Sequence, residues 1–231
     1  MLIIKFILLC SMVFMPTLHA GETWKITSLE WPPYAGSKVE NQGHSIQKLR
    51  KLLQKQDITL IIEFYPWKRS KYLVETNNEY IGIFPAWPED VFDGAIISPA
   101  VDWSEIAILK IPDKVVSFDS IDELFEKYSV GIVSTYHYPK IIDNAIKKYP
   151  HNVERASNEL SLLKKLLAGR GDVAITDPIV MQYLSKQEWS SKIETVSIIM
   201  EKELVLAFRD DEENRQRLKL LTKLLKENEV F

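Results

Sequence analysis

Short apolar runs alternate with amphipathic segments along the chain. Residues 24–29 and 58–64 are rich in apolar and β-branched side chains and end at proline-containing loops, which predicts strands. Between them, residues 44–54 place Ile46 and Leu49 on one face and lysines and glutamines on the other, which predicts a helix. Because alternating strands and helices build parallel sheets covered by helices, the pattern predicts an α/β protein with largely parallel sheets.

The rest of the chain continues this alternation, and residues 91–100 are expected to return toward the sheet. Further strands are predicted over residues 80–84 (stopped by Pro85), 130–133, 172–176, 193–199 and 203–208. Further helices are predicted over residues 69–76, 139–149, 178–187 and 212–226. Two more helices are predicted from their start signals: one begins with a capping box formed by Ser120 and Glu123, and the other is capped by Ser157 or Asn158.

Two of these segments are predicted to connect two lobes. The apolar run over residues 105–111 ends just before Pro112, and we interpret it as the first crossing. Residues 203–208 are interpreted as the return crossing. The predicted lobes are residues 21–108 together with 200–231, and residues 109–199.

The first 20 residues have the composition of a secretory signal. Lys5 is their only charged residue, residues 6–15 form an apolar core, and Ala20 is a small residue after which cleavage is expected. The apolar stretch is interrupted by Pro16 and is shorter than the ~20 residues that a membrane-spanning helix needs. An uncleaved anchor is the alternative, because Leu18 is not the small residue usual two positions before the last residue of a signal. We therefore expect cleavage after Ala20 and a periplasmic location.

Composition excludes some classes of partner. Cleavage after Ala20 leaves 211 of the 231 residues and no cysteine, so the core alone must hold the protein together. Removing Lys5 leaves 28 basic residues against 32 acidic ones, a net charge of −4. That balance argues against a nucleic-acid or anionic-membrane surface. We expect a monomer.

An aromatic pair beside a proline follows each of the first three predicted strands. The pairs are Trp31 and Tyr34, Tyr65 and Trp67, and Phe84 and Trp87. In a parallel sheet these strand ends lie on one edge, where ligands of α/β proteins bind. A single tryptophan in a loop usually serves packing. For six aromatic side chains that converge on one edge, we give about equal weight to a packing role and to a role in lining an apolar ligand pocket.

Polar candidates lie in the predicted second lobe. Ser134, Thr135 and Tyr136 follow a strand and precede a helix, where hydroxyl and backbone N–H groups suit an anionic or carbonyl group. An N-terminal helix cap is an interpretation of equal weight. Asp177 ends a strand and is followed by Pro178, so it is either a helix cap or a ligand contact, and the two roles are compatible.

Catalytic and metal-binding signatures are weak. The chain has no Gly-x-Ser-x-Gly elbow, phosphate loop or dinucleotide fingerprint. His44, His137 and His151 lack metal-ligand spacing, so we expect neither a metal nor a cofactor. Glu89 and Asp90 are carboxylates without an evident partner in the sequence.

These motifs, in this order, resemble those of the bacterial periplasmic solute-binding proteins of family 3, the polar amino-acid-binding type. The motifs are Trp31-Pro32-Pro33-Tyr34, Tyr65-Pro66-Trp67-Lys68-Arg69, Ser98-Pro99, residues 131–135, residues 171–177 and residues 204–209. The resemblance covers essentially the whole mature chain and implies a divergent member with two α/β lobes, joined by two crossing strands, that close on a small ligand by hinge motion.

The resemblance also implies roles for individual residues. It implies that Asp177 binds a ligand amino group, that Tyr34 packs on the ligand, and that the Ser134-Thr135 turn contacts a ligand carboxylate. The family's carboxylate-binding arginine, three residues after a threonine, is missing, because Trp87 and Asp90 stand at those two positions.

This departure changes the expected ligand. Without the bidentate guanidinium, an ordinary α-amino acid lacks its usual anchor, although Lys68 or Arg69 is a candidate replacement. We expect a solute-binding protein for a small polar or amine-containing ligand, such as a cation, an aromatic amine or a modified peptide, that serves a transporter or sensor. The expected ligand contacts are Trp31, Tyr34, Trp67, Arg69, Phe84, Trp87, Ser134, Thr135, Tyr136 and Asp177. The alternatives are a lyase- or dehydratase-like enzyme on the same scaffold, and a module that binds a protein or the cell wall.

Overall fold

The computed structural model describes residues 21–188 and 193–228. The predicted signal at residues 1–20 lies outside the described residues. The described strands are β1 Thr23–Ser28, β2 Thr59–Phe64, β3 Gly82–Ala86, β4 Ile96–Ile97, β5 Asp102–Lys110, β6 Val130–Val133, β7 Val153–Ala156, β8 Val173–Thr176 and β9 Glu194–Phe208. The helices are α1 His44–Gln54, α2 Trp67–Thr76, α3 Ile121–Lys127, α4 Lys140–Lys148, α5 Glu159–Leu167, α6 Pro178–Glu188 and α7 Glu212–Asn228.

The strands form one curled sheet in the order β2-β1-β3-β9-β5-β8-β6-β7, with β4 also paired to β9. At one end β1 is parallel to both β2 and β3, and at the other β6 is parallel to both β7 and β8. The pairings of β5 and β9 are antiparallel. The predicted α/β class and the two-lobed fold are therefore confirmed. We call β1–β4 with α1, α2 and α7 the first lobe, and β6–β8 with α3–α6 the second; the exact residue bounds of the lobes stay a prediction.

The two crossing strands, β5 and β9, pair with each other along nearly their whole length. Residues 193–199 and 203–208 were expected to form two strands, and that expectation is wrong. Residues 200–202 continue the ladder by pairing with residues 104–106 of β5, so the backbone stays extended through the charged residues Glu201 and Lys202. Register shifts on both sides of Ala107 accommodate the bend between the lobes.

Two further differences between the predicted and the observed strands have local causes. Pro85 was expected to stop β3 but lies inside it, at a register irregularity between Ile83 and Ala86 where the missing N–H costs no ladder bond. Strand β7 was not predicted, because its sequence, Val-Glu-Arg-Ala, is half charged and offers no apolar run. Among the described residues, no helix is both long and apolar enough to cross a membrane.

Helix caps follow the sequence closely. Ser120 Oγ accepts a hydrogen bond from the backbone N–H of Glu123, as the capping box predicts, but the Glu123 carboxylate reaches the backbone N–H of Asp119 instead of that of Ser120. Asn158, the second of the two candidates, caps α5 by accepting from the backbone N–H of Ser161 at 2.8 Å. These caps fix where α3 and α5 begin.

Candidate functional site

The ends of the first three parallel strands bring Trp31, Trp67 and Trp87 to one edge of the sheet. Tyr136, which follows β6, faces them from the second lobe, and the four rings border one cavity. Its lining is completed by Leu29, Pro85, Ala86, Asp90 and Leu204. The cavity has a volume of about 20 Å³, which is room for roughly one water molecule. The rings of the two lobes therefore leave little free space between them.

The loop after β1 holds the first two rings in place. Trp31 and Tyr34 stack with their ring centroids 4.6 Å apart, and an antiparallel bridge between Trp31 and Ala35 closes the turn. Gly43, at φ +105°, lies so close that a Cβ there would be 2.3 Å from the carbonyl oxygen of Tyr34. Only glycine permits this approach, which ties the loop to the start of α1.

Asp90, at the position of the family's arginine, is a buried carboxylate of the first lobe. Its Oδ2 accepts from the Trp67 indole N–H at 2.7 Å, and its Oδ1 lies 2.6 Å from Lys71 Nζ. His137 of the second lobe places Nδ1 3.2 Å from Oδ1. Burial raises the pKa of Asp90, although the Lys71 ammonium opposes this shift.

Lys71 was not among the expected site residues. The side chains considered as replacements for the missing arginine were Lys68 and Arg69, and both are exposed. Lys71 lies four residues after Trp67 on the same face of α2, and its Nζ is 5.4 Å from the Trp67 ring centroid. In the sequence, the four-residue spacing between Trp67 and Lys71 was the feature that places the two side chains side by side on a helix.

Asp177 ends β8 and is fully buried. Its Oδ1 caps α6 by accepting from Val180 N at 2.9 Å, and its Oδ2 accepts from the backbone N–H of Glu105 on crossing strand β5 at 3.2 Å. The hydroxyl of Tyr34, from the first lobe, is a further hydrogen-bond partner. Burial raises the pKa of Asp177 to about 6, against the effect of these donors.

Glu159, the first residue of α5, is a third buried carboxylate, and sequence reasoning missed it. Its Oε1 accepts from Trp31 Nε1 at 2.8 Å and from the Tyr136 hydroxyl at 2.5 Å. Burial, the largest cause, raises its pKa to about 7, and the charge of Asp177 acts in the same direction. An acidic residue in the first turn of a helix is explained by its favourable interaction with the helix dipole alone. Nothing in the sequence therefore distinguished Glu159 as a site residue.

The turn after β6 contributes groups of different kinds. Ser134 is exposed and bonds to the carbonyl oxygen of Ala156, as a turn residue would. Thr135 Oγ1 is buried and has no hydrogen-bond partner among the residues that the structure describes. The ring of Tyr136 lies 5.5 Å from that of Trp87, across the cleft.

Six of the ten expected ligand contacts do not line the cavity: Tyr34, Arg69, Phe84, Ser134, Thr135 and Asp177. Arg69 is exposed and its guanidinium lies 5.1 Å from the ring centroid of Tyr65. Phe84 is fully buried in the core of the first lobe and is not among the residues that line the cavity. Within residues 21–188 and 193–228, no group of three or more His, Cys, Asp or Glu side chains is arranged to hold a metal ion.

Comparison with known proteins identifies the fold. No protein-family model matches the chain, and no curated protein sequence matches it. A histidine kinase sensor domain with similarity to periplasmic binding proteins has a TM-score of 0.72 at 16% identity, covering 89% of this chain and 90% of that chain. A periplasmic binding protein of an arginine transport system from Legionella pneumophila has a TM-score of 0.70 at 16% identity, covering 90% and 94%.

A third similar structure is that of an ancestral amino acid-binding protein, a precursor of cyclohexadienyl dehydratase. Its TM-score is 0.66 at 16% identity, and the match covers 89% of this chain and 88% of that chain. At such identities the likeness shows the fold alone. The fold that the sequence motifs imply, that of periplasmic amino-acid-binding proteins, is confirmed.

Proposed function

We propose that the chain is a periplasmic solute-binding protein that captures a small, amine-containing ligand between its lobes and serves a transporter or a membrane sensor. The observation that carries this proposal is the cavity bordered by Trp31, Trp67, Trp87 and Tyr136, because rings from both lobes converge on it. Pockets of this kind, apolar with a few placed polar groups, are typical of ligand sites. The similar transport-system protein and sensor domain support the two kinds of partner.

The charges around the cleft favour a cation. Asp90, Glu159 and Asp177 are all buried at or near it, and Lys71 compensates only the first directly. The missing arginine removes the usual anchor for an α-carboxylate. The unpartnered hydroxyl of Thr135 supports a further polar contact, because buried polar groups normally have a partner.

We further propose that the chain acts without catalysis, as a monomer, after cleavage of its signal.

One observation favours an enzyme as the second candidate: burial places the pKa of Glu159 near 7, where a carboxyl group suits acid–base chemistry. The similar dehydratase precursor adds weight to this candidate. Turnover of a bound compound, lost in Glu159→Gln with binding retained, would establish it.

The proposal is tested by two measurements on protein purified without refolding. Native mass spectrometry detects a ligand that is carried through purification. A thermal-shift panel of amines, amino acids, short peptides and sugars then identifies the class. A ligand at 100 times its Kd stabilises by about 2.7 kcal/mol, which raises Tm by roughly 5–10 °C in a protein of this size.

Matched variants make this test specific to the cleft. Trp87→Leu removes a cavity ring, whereas Trp103→Leu removes an exposed tryptophan that does not line the cavity. We expect the thermal shift to be lost in the first and kept in the second. No stabilisation by any panel compound, or equal shifts in both variants, would refute ligand binding in this cleft.

A further inference from the structure

The tryptophans that border the cavity have their indole N–H groups engaged elsewhere. Trp31 donates to Glu159 at 2.8 Å, Trp67 to Asp90 at 2.7 Å, and Trp87 to Ser104 Oγ at 3.0 Å. The surface that these side chains leave for a ligand is therefore ring carbon. Ring faces attract cations through their quadrupole, most strongly those of tryptophan.

The carboxylates near the cleft are also engaged. Asp90 accepts from Trp67 and Lys71, Asp177 accepts from two backbone N–H groups, and Glu159 accepts from Trp31 and Tyr136. A primary ammonium needs three acceptors. Near these carboxylates it would compete with the protein donors that they already accept from, whereas a cation without N–H groups needs no acceptor.

The chain itself shows how this environment treats an ammonium. The Lys71 ammonium lies against Asp90 and 5.4 Å from the Trp67 ring centroid, and its side chain is only 12% exposed. That carboxylate is thus occupied by a resident cation. A second cation gains most from the remaining rings if its nitrogen carries no hydrogen.

We infer that the cleft selects a quaternary ammonium group, such as a trimethylammonium, whose nitrogen has no N–H to satisfy and whose methyl groups contact the aromatic rings. This inference rests on the proposed function and narrows its ligand class. Because the cavity holds only about 20 Å³, the lobes must separate to admit the ligand and then bring Tyr136 toward Trp31 and Trp87 around it. Attraction between the cation and rings on both lobes would favour closure.

Three probes, of which the first two have the same size, separate charge, shape and N–H donation. Choline carries a trimethylammonium group, 3,3-dimethylbutan-1-ol has the same shape without charge, and ethanolamine has the charge with three N–H donors. We expect choline, tested by calorimetry against matched sodium chloride, to bind at least tenfold more tightly than either of the others. Equal or tighter binding of the neutral isostere or of ethanolamine overturns the inference.

Absence of binding by choline, tetramethylammonium and trimethylglycine likewise overturns the inference. The proposed function still stands in that case if another compound of the panel stabilises the protein and Trp87→Leu abolishes the effect. The two failures are therefore distinguishable.

A pair of variants at one position tests the role of the ring. Tyr136→Leu removes the ring, whereas Tyr136→Phe keeps it and removes only the hydroxyl that bonds to Glu159. We expect the Leu variant to bind choline at least fivefold more weakly than the Phe variant, with Tm values measured for both to confirm folding. Equal affinities in two folded variants would overturn the cation–ring contact.

Discussion

The indole Nε1 of Trp31 donates a 2.8 Å hydrogen bond to Oε1 of Glu159, a residue 128 positions later in the chain and on the opposite lobe. The same oxygen accepts from Tyr136, so one buried carboxylate connects two of the rings that border the cavity. Glu159 thereby couples lobe closure to the geometry of the aromatic cleft. Its protonation state matters for the same reason, since a charged carboxylate is the stronger acceptor.

The pH dependence of stability should show the burial of Glu159. Its pKa is raised to about 7 in the folded protein, whereas an unfolded Glu titrates near 4.3. Between these values the folded state binds more protons than the unfolded state, so the free energy of unfolding falls as pH rises. We expect this group to contribute a loss of roughly 3 kcal/mol between about pH 4.5 and 7.5, measured by urea denaturation.

Glu159→Gln isolates this contribution. Glutamine keeps an acceptor for Trp31 but does not titrate, so the variant should lose stability less steeply over the same pH range. The part that remains includes Asp177, whose pKa is raised to about 6 and which acts in the same direction. Parallel pH profiles for the wild type and the variant would contradict the prediction.

Asp177→Ala should destabilise the protein by roughly 1–3 kcal/mol, because the backbone N–H groups of Val180 and Glu105 and the Tyr34 hydroxyl lose a buried acceptor. Asn158→Ala is the matched control, since it removes the cap of α5 where the capping side chain is exposed. The control should cost about 1 kcal/mol or less. If the two variants lose equal stability, the contact of Asp177 with the crossing strand and Tyr34 contributes nothing.

Local periodicity was enough to predict much of the fold. The residues of α1 and β6 match the predicted bounds, and the alternation of apolar runs and amphipathic segments predicted parallel strands whose ends meet at one edge. The charged residues Glu201 and Lys202 hid the continuity of β9, because their extended backbone depends on pairing with β5 and not on their own propensity.

The candidate site was only partly predictable. Six aromatic ligand contacts were predicted from their places at strand ends; Trp31, Trp67, Trp87 and Tyr136 do border one cavity, and Tyr34 and Phe84 do not. The partners of their polar atoms were not identified, because contacts such as Trp31 with Glu159 join distant parts of the chain. The role of Asp177 as a ligand contact stays a prediction.

Cleavage of the signal is a direct prediction from residues 1–20. Expression of the whole sequence in a Gram-negative bacterium should give a periplasmic protein whose N-terminus is Gly21. Because Cys10 is the only cysteine, this product should not react with thiol reagents. Intact-mass measurement checks both points, and a full-length, thiol-reactive protein in the membrane fraction would instead support an uncleaved anchor.

The buried pair of Lys71 and Asp90 should be strongly coupled in stability. Their side chains are 12% and 4% exposed, with Nζ and Oδ1 2.6 Å apart. Lys71→Met leaves a buried carboxylate without its counter-ion, which costs roughly 3–5 kcal/mol. Lys71→Met combined with Asp90→Asn removes the unpaired charge and keeps an acceptor for Trp67, so it should recover at least half of that loss.

An exposed pair provides the control for this double-mutant cycle. Lys148 and Asp122 are 2.8 Å apart, but their side chains are 58% and 52% exposed. Solvent screening makes such exposed pairs contribute little to stability, so Lys148→Met should shift the urea midpoint only slightly. If Lys71→Met is as mild as Lys148→Met, Asp90 is protonated or solvated in the folded protein.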